Sequence, residues 1–104
     1  MLVTTVVRPE YRERLPGITH VDGTARIQVV SMESNPRLYR LLLAFEKLTG
    51  FGVLINTSFN LQEPIVCSPE DALNCFARAW LDLLFIGDYM VHREPALSPE
   101  NCPV

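Results

Sequence analysis

Two start signals of one kind, Asn35-Pro36 and Ser68-Pro69, do most to limit what this chain can fold into. Asn and Ser accept a backbone N–H at a helix N-terminus, and proline suits the first helical position, where its missing N–H leaves nothing unpaired. Behind Asn35, the residues Leu38, Leu41, Leu42, Phe45 and Leu48 recur at helical spacing as one apolar stripe. Arg37, Arg40 and Lys47 lie mostly off that stripe, and Gly50 is a natural C-terminal stop. Behind Ser68, Glu70 and Asp71 fill the positive first turn, and Ala72, Leu73, Phe76, Ala79 and Trp80 form a stripe expected to be buried.

The other segments read as strands and connections. Leu2–Val7 is rich in β-branched residues and suits a strand. Arg8–Gly17 is charged and bracketed by Pro9, Pro16 and Gly17, which marks a connection. From Thr24 the pattern alternates, with Ala25, Ile27 and Val29 on one face and Thr24, Arg26 and Gln28 on the other. Val53-Leu54-Ile55 is a short apolar run, as in a strand covered on both faces. Leu83–Ile86 and Tyr89–Val91 read as two strands joined by a tight turn at Gly87-Asp88, and the tail over about residues 93–104 reads as irregular. The order strand, helix, strand, helix, hairpin predicts an α/β layered domain. Its sheet is expected to be mixed and flanked by helices, because the last two strands can only pair antiparallel.

With 104 residues the chain has room for one small domain, and 48% hydrophobic residues suffice for a compact core. A formal net charge of −3 argues against a general nucleic-acid or anionic-membrane surface, though it allows a local cationic pocket. No run reaches the ~18 apolar residues of a membrane span. The first residues lack the charged-then-apolar order of a signal peptide. Cys67, Cys75 and Cys102 form no C-x-x-C pair and no metal-ligand spacing, and their odd number suits reduced thiols in a cytoplasm. No metal site is expected in this segment.

Two stretches could carry chemistry. In "HVDGTARIQ", Asp22-Gly23 is a turn signal, and Thr24, Arg26 and Gln28 present donors on one strand face. Arginine's planar fork suits a phosphate or carboxylate; the same row equally suits a solvated strand face, and His20 a structural histidine. In "NTSFN", an extended chain points Asn56, Ser58 and Asn60 one way. Small polar side chains after a buried strand, followed by a helix start at Ser68, suit a phosphate or acyl phosphate. The other reading is a loop that bonds its own backbone. No P-loop, dinucleotide fingerprint or nucleophile elbow is present.

The words "ITHVDGTARIQVV", "NPRLYRLLLAFEKLTGFGVLINTSFN" and "EPIVCSPEDAL", in that order and spacing, resemble the C-terminal region of the NodU/CmcH family of carbamoyltransferases from about Leu15 to Val91. The resemblance implies a YrdC-like domain that uses ATP with Mg²⁺ and carbamoyl phosphate to form carbamoyl adenylate. A separate N-terminal transfer domain, which holds the metal site, then passes the carbamoyl group to a small-molecule hydroxyl, as in antibiotic or nodulation-factor biosynthesis. Carried over to this chain, Arg26 is the catalytic candidate for a phosphate or carbamoyl contact. Ser58 and Asn60 are candidates for the nucleotide-phosphate side, with His20, Asp22, Thr24, Gln28 and Asn56 shaping the pocket. Such chemistry needs charge stabilisation and water exclusion more than a covalent nucleophile.

Two departures stand out. The family pattern "NTSFN-x-x-G-E-P-I-V" here loses its glycine and one residue in Asn60-Leu61-Gln62-Glu63-Pro64, a change expected to close the pocket or misplace Asn60. Met1-Leu2 also resembles only the end of a segment, "SPFML", that precedes this region in the family. The chain is therefore expected to be the distal part of an incomplete domain, weak or inactive alone. It would be partnered by a transfer domain in the same or a separate chain. The alternative is a non-catalytic binding or assembly module, whose open sheet edges favour self-association, including a homodimer.

Overall fold

A computed structural model describes residues 3–94. Leu2, Cys102 and the expected irregular tail beyond Glu94 lie outside the described residues. The chain divides between Asn56 and Thr57 into two compact units.

The first unit opens with β1 (Val3–Val6), α1 (Pro9–Arg12) and a 3₁₀ turn at Pro16–Ile18, then β2 (Thr24–Ile27) and α2 (Pro36–Thr49). β1 and β2 pair antiparallel, with Val3 opposite Ile27, Thr4 opposite Arg26, Thr5 opposite Ala25 and Val6 opposite Thr24. The ladder continues past the strand ends, because Val7 N donates to Gly23 O at 2.9 Å, and the turn before β2 is closed by His20 N donating to Thr24 O at 2.7 Å. The alternation read from Thr24 is seen only at its start: Ala25 is buried and Arg26 exposed, but Ile27 and Val29, expected on the apolar face with Ala25, are exposed. Behind α1, Tyr11 meets the Phe51 ring edge-on at 5.9 Å and the Arg14 guanidinium lies 4.6 Å from the same ring.

The ends of α2 follow the sequence. Asn35 Oδ1 accepts from Leu38 N at 3.2 Å, and Gly50 ends the helix at φ 86°, its N–H donating to Glu46 O at 2.7 Å. Its stripe is another matter. Leu38, Leu42 and Phe45 are half-buried, Leu41 is exposed and Leu48 is 86% exposed. A helical period identifies an apolar face; it does not supply what covers it.

The second unit holds α3 (Pro69–Arg78) and the hairpin β3 (Leu83–Ile86) and β4 (Tyr89–His92). Leu83 pairs with His92, Leu84 with Val91, Phe85 with Met90 and Ile86 with Tyr89, and Gly87 turns the chain at φ 57° as the sequence predicts. Ser68 Oγ accepts from Asp71 N at 3.1 Å to cap α3. Ala72, Cys75, Phe76 and Ala79 are buried beneath it. Burying Phe76 contributes about 2–3 kcal/mol, the largest single term in so small a core.

Four expectations are corrected. The sheet is not mixed: the described strands form two separate two-stranded antiparallel sheets. Val53-Leu54-Ile55 is not a strand and is not covered, Ile55 being 71% exposed; an apolar run becomes a strand only where a neighbour offers its backbone. The connection over residues 8–17 contains α1, opened by Pro9 at its first position with Glu10 in the first turn. Two members of the stripe expected to be buried on α3 are exposed, Leu73 at 46% and Trp80 at 99%; Trp80 lies beyond the helix end at Arg78, where Ala79, still buried, turns extended.

Paired carboxylates tie local structure to pH. Asp71 Oδ2 accepts from the Cys67 thiol at 3.3 Å, a bond that holds the carboxyl below its usual range and pushes the thiol up. Asp22 Oδ1 accepts from Thr24 Oγ1 at 2.6 Å and Thr24 N at 3.0 Å, with the same lowering. A carboxyl lowered by folding gives stability that is complete above its unfolded pKa and is lost as pH falls through the folded one. Thermal unfolding followed against pH should therefore hold level near neutrality and weaken below the ordinary aspartate range. Asp71→Asn and Asp22→Asn should each flatten that acid limb. Variants that track the wild type through the acid range would contradict this assignment.

Candidate functional site

The first unit carries the row built on β2. His20 is exposed, and its carbonyl accepts from Gly23 N at 2.9 Å, closing the turn that precedes the strand. Gly23 sits at φ 79° against the Arg12 side chain: a Cβ placed there would meet Arg12 Cζ at 2.7 Å. Arg12 is fixed by its own bond, Nε donating to Val7 O at 2.9 Å. Asp22 and Thr24 satisfy each other, so they shape the turn as an Asx-type motif and present less free polarity than their types suggest. Arg26 differs. It is exposed, and its guanidinium has no hydrogen-bond or ion-pair partner among the described residues. Gln28 Oε1 accepts from Asn56 Nδ2 at 2.5 Å, which joins the two sequence motifs directly.

The second unit carries the rest of "NTSFN". Ser58 is exposed with no partner among the described residues. Asn60 turns inward, Nδ2 donating to Glu63 O at 3.0 Å, while Val66 N donates to Phe59 O at 2.9 Å. This is the self-bonding behaviour of an Asn-rich loop, and it closes the short Asn60–Glu63 segment on itself. Glu63 pairs with Arg78 at 2.6 Å, beside a shallow 360 Å³ depression lined by Leu61, Gln62, Glu63 and Arg78. Glu63 is held below its usual range first by its own backbone N–H, and more weakly by Gln62 N–H and Arg78. Exposed as it is, the pair adds little to stability.

A second, open cleft of 400 Å³ runs along Phe59, Val66, Pro69, Ala72, Phe85 and Ile86, with Cys67 and Ser68 at its polar edge. The start of α3 borders it. There Ser68 occupies the Asp71 N–H, and Glu70 and Asp71 bring their own negative charge. That first turn is already neutralised, so a bound phosphate there would meet two carboxylates. The thiol of Cys75 is pushed up, chiefly by burial, which marks it as core rather than nucleophile. Among the described residues no three His, Cys, Asp or Glu side chains come together to hold a metal, and no helix is long and apolar enough to cross a membrane.

Sequence reasoning named Gln28 and Asn56 separately but not their contact, which no local pattern reveals. It also gave Glu63, Arg78 and Arg93 no role, and Arg12 no specific one. For Arg12 a signal existed in hindsight, since a glycine at a turn invites the question of what approaches it.

Comparison with known proteins agrees with the resemblance carried by these motifs. The model of the family described as carbamoyltransferase C-terminus matches residues 1–93. The chain belongs to that family. An uncharacterised protein of Synechocystis is 57% identical over 81 residues, covering 77% of this chain and 13% of its own length. The nodulation protein NolNO of Sinorhizobium fredii is 46% identical over 96 residues, covering 91% of this chain and 14% of its own. The 3'-hydroxymethylcephem-O-carbamoyltransferase of Amycolatopsis lactamdurans is 42% identical over 81 residues, covering 76% and 15%. The chain thus spans about a seventh of the length of the curated relatives it matches.

Proposed function

We propose that this chain is the distal part of a YrdC-like domain that forms carbamoyl adenylate from carbamoyl phosphate and ATP with Mg²⁺. The product is for transfer to a small-molecule hydroxyl by an N-terminal transfer domain in the same or a separate chain. The observation that carries the reading is Arg26: an exposed guanidinium without a partner among the described residues, on the strand face whose Gln28 is tied to Asn56. A guanidinium left without a carboxylate is open to a phosphate, with which it can form two parallel bonds. Arg26 is the group that meets phosphoryl or carbamoyl oxygen. His20, Asp22 and Thr24 form the turn that fixes its strand. Ser58, unpaired among the described residues, is assigned to nucleotide phosphates, and Asn60, whose Nδ2 is held by Glu63 O, keeps one N–H of that group for the same anion.

A second reading is favoured by the exposed apolar strands. Val3 and Val6 on β1 and Phe85 and Met90 on the hairpin are all open, which suits an assembly module that pairs with another chain or a second copy. Carbamoyl phosphate titrated into the chain and followed by amide chemical shifts separates the two. The catalytic reading expects shifts along residues 24–28 and at least about ten-fold weaker binding by Arg26→Ala. A chain that associates but shows no response to carbamoyl phosphate supports the assembly module instead.

A further inference from the structure

The contact between Gln28 and Asn56 has a direction. Asn56 Nδ2 donates to Gln28 Oε1 at 2.5 Å. Each carboxamide carries one acceptor oxygen and two N–H donors. The bond therefore spends one N–H of Asn56 and one lone pair of Gln28, and it leaves the Asn56 Oδ1 acceptor and the Gln28 Nε2 donors without a partner among the described residues. Both side chains belong to exposed residues, and Gln28 directly follows β2, two residues after Arg26. The pair thus offers an acceptor and a donor, held together, beside a cation.

A carbamoyl group is the complement of that pattern. It is a planar amide, with an NH₂ that donates and a carbonyl that accepts, attached through oxygen to an anionic phosphate. We propose that the Gln28–Asn56 pair reads the carbamoyl amide: its NH₂ donates to Asn56 Oδ1 and its carbonyl accepts from Gln28 Nε2, while Arg26 takes the phosphate. This rests on the carbamoyl-phosphate reading above and adds what discriminates the ligand. Acetyl phosphate has the same charge and nearly the same shape but a methyl in place of the NH₂. It keeps the contact to Gln28 and leaves Asn56 Oδ1 facing a group that cannot donate. Arg26 alone would bind the two equally; the amide pair makes them differ.

The test compares carbamoyl phosphate, acetyl phosphate and inorganic phosphate against the uniformly ¹⁵N-labelled chain, reading the side-chain NH₂ resonances of Gln28 and Asn56. Carbamoyl phosphate should move both and bind about ten-fold more tightly than acetyl phosphate. In Asn56→Ala the two ligands should bind alike. Equal binding of both acyl phosphates to the wild type, or a preference that survives Asn56→Ala, overturns the amide-reading role and leaves the Arg26 anion site standing. No binding of any of the three overturns both.

Discussion

Replacing Gly23 with alanine should cost the first unit about 2–3 kcal/mol. Two separate penalties combine. The backbone at φ 79° lies in the left-handed region, where a Cβ alone costs about 1–2 kcal/mol. That Cβ would also stand 2.7 Å from Arg12 Cζ, and Arg12 cannot simply swing away without giving up its 2.9 Å bond to Val7 O. The turn concerned sets the register of β2 and so the placement of Arg26. Urea unfolding of Gly23→Ala should show the loss. In the double variant with Arg12→Ala the steric part should disappear while the backbone part remains, giving a clear coupling energy in the cycle. An alanine tolerated at position 23 would mean that neither the left-handed turn nor the guanidinium contact is present.

Arg93→Ala should cost the second unit about 2 kcal/mol. The side chain of Arg93 gathers the orphan carbonyls at the end of α3. Nη2 donates to Phe76 O at 2.6 Å, to Ala77 O at 3.1 Å and to Ala79 O, while Nε donates to Leu81 O at 3.1 Å. The guanidinium also lies 5.5 Å from the centre of the Phe76 ring, so it closes one side of the small core. A positive group is favoured there because the helix C-terminus carries partial negative charge. Arg93→Lys should recover little, since a point charge cannot reach four carbonyls at once. Hydrogen exchange over the last turn of α3 should accelerate in both variants. Full protection in Arg93→Ala would show that the carbonyls are satisfied by water at no cost.

Local chemistry was legible and long-range closure was not. The caps at Asn35 and Ser68, the stop at Gly50 and the turn at Gly87-Asp88 each depend on a few neighbouring residues, and all stand where the sequence places them. Arg93 acts across twelve to seventeen residues on carbonyls that every residue type possesses, so no pattern announces it. Val53-Leu54-Ile55 misled for the same reason in reverse: apolarity was visible, but the absence of a pairing strand was not. Within the candidate site, the row Thr24, Arg26, Gln28 was readable from alternation. That Asp22 and Thr24 bond each other, and that Asn60 turns to its own loop, depended on side-chain torsions that composition does not encode.

Nucleotide binding is the most direct consequence of the proposed function. ATP with Mg²⁺ titrated calorimetrically into the chain should give saturable heat, at least about ten-fold weaker binding in Arg26→Ala, and a smaller loss in Ser58→Ala. A flat titration of the wild type would show that this chain alone holds no nucleotide site, and an Arg26→Ala variant that binds ATP as the wild type does would contradict the assignment of Arg26 to it.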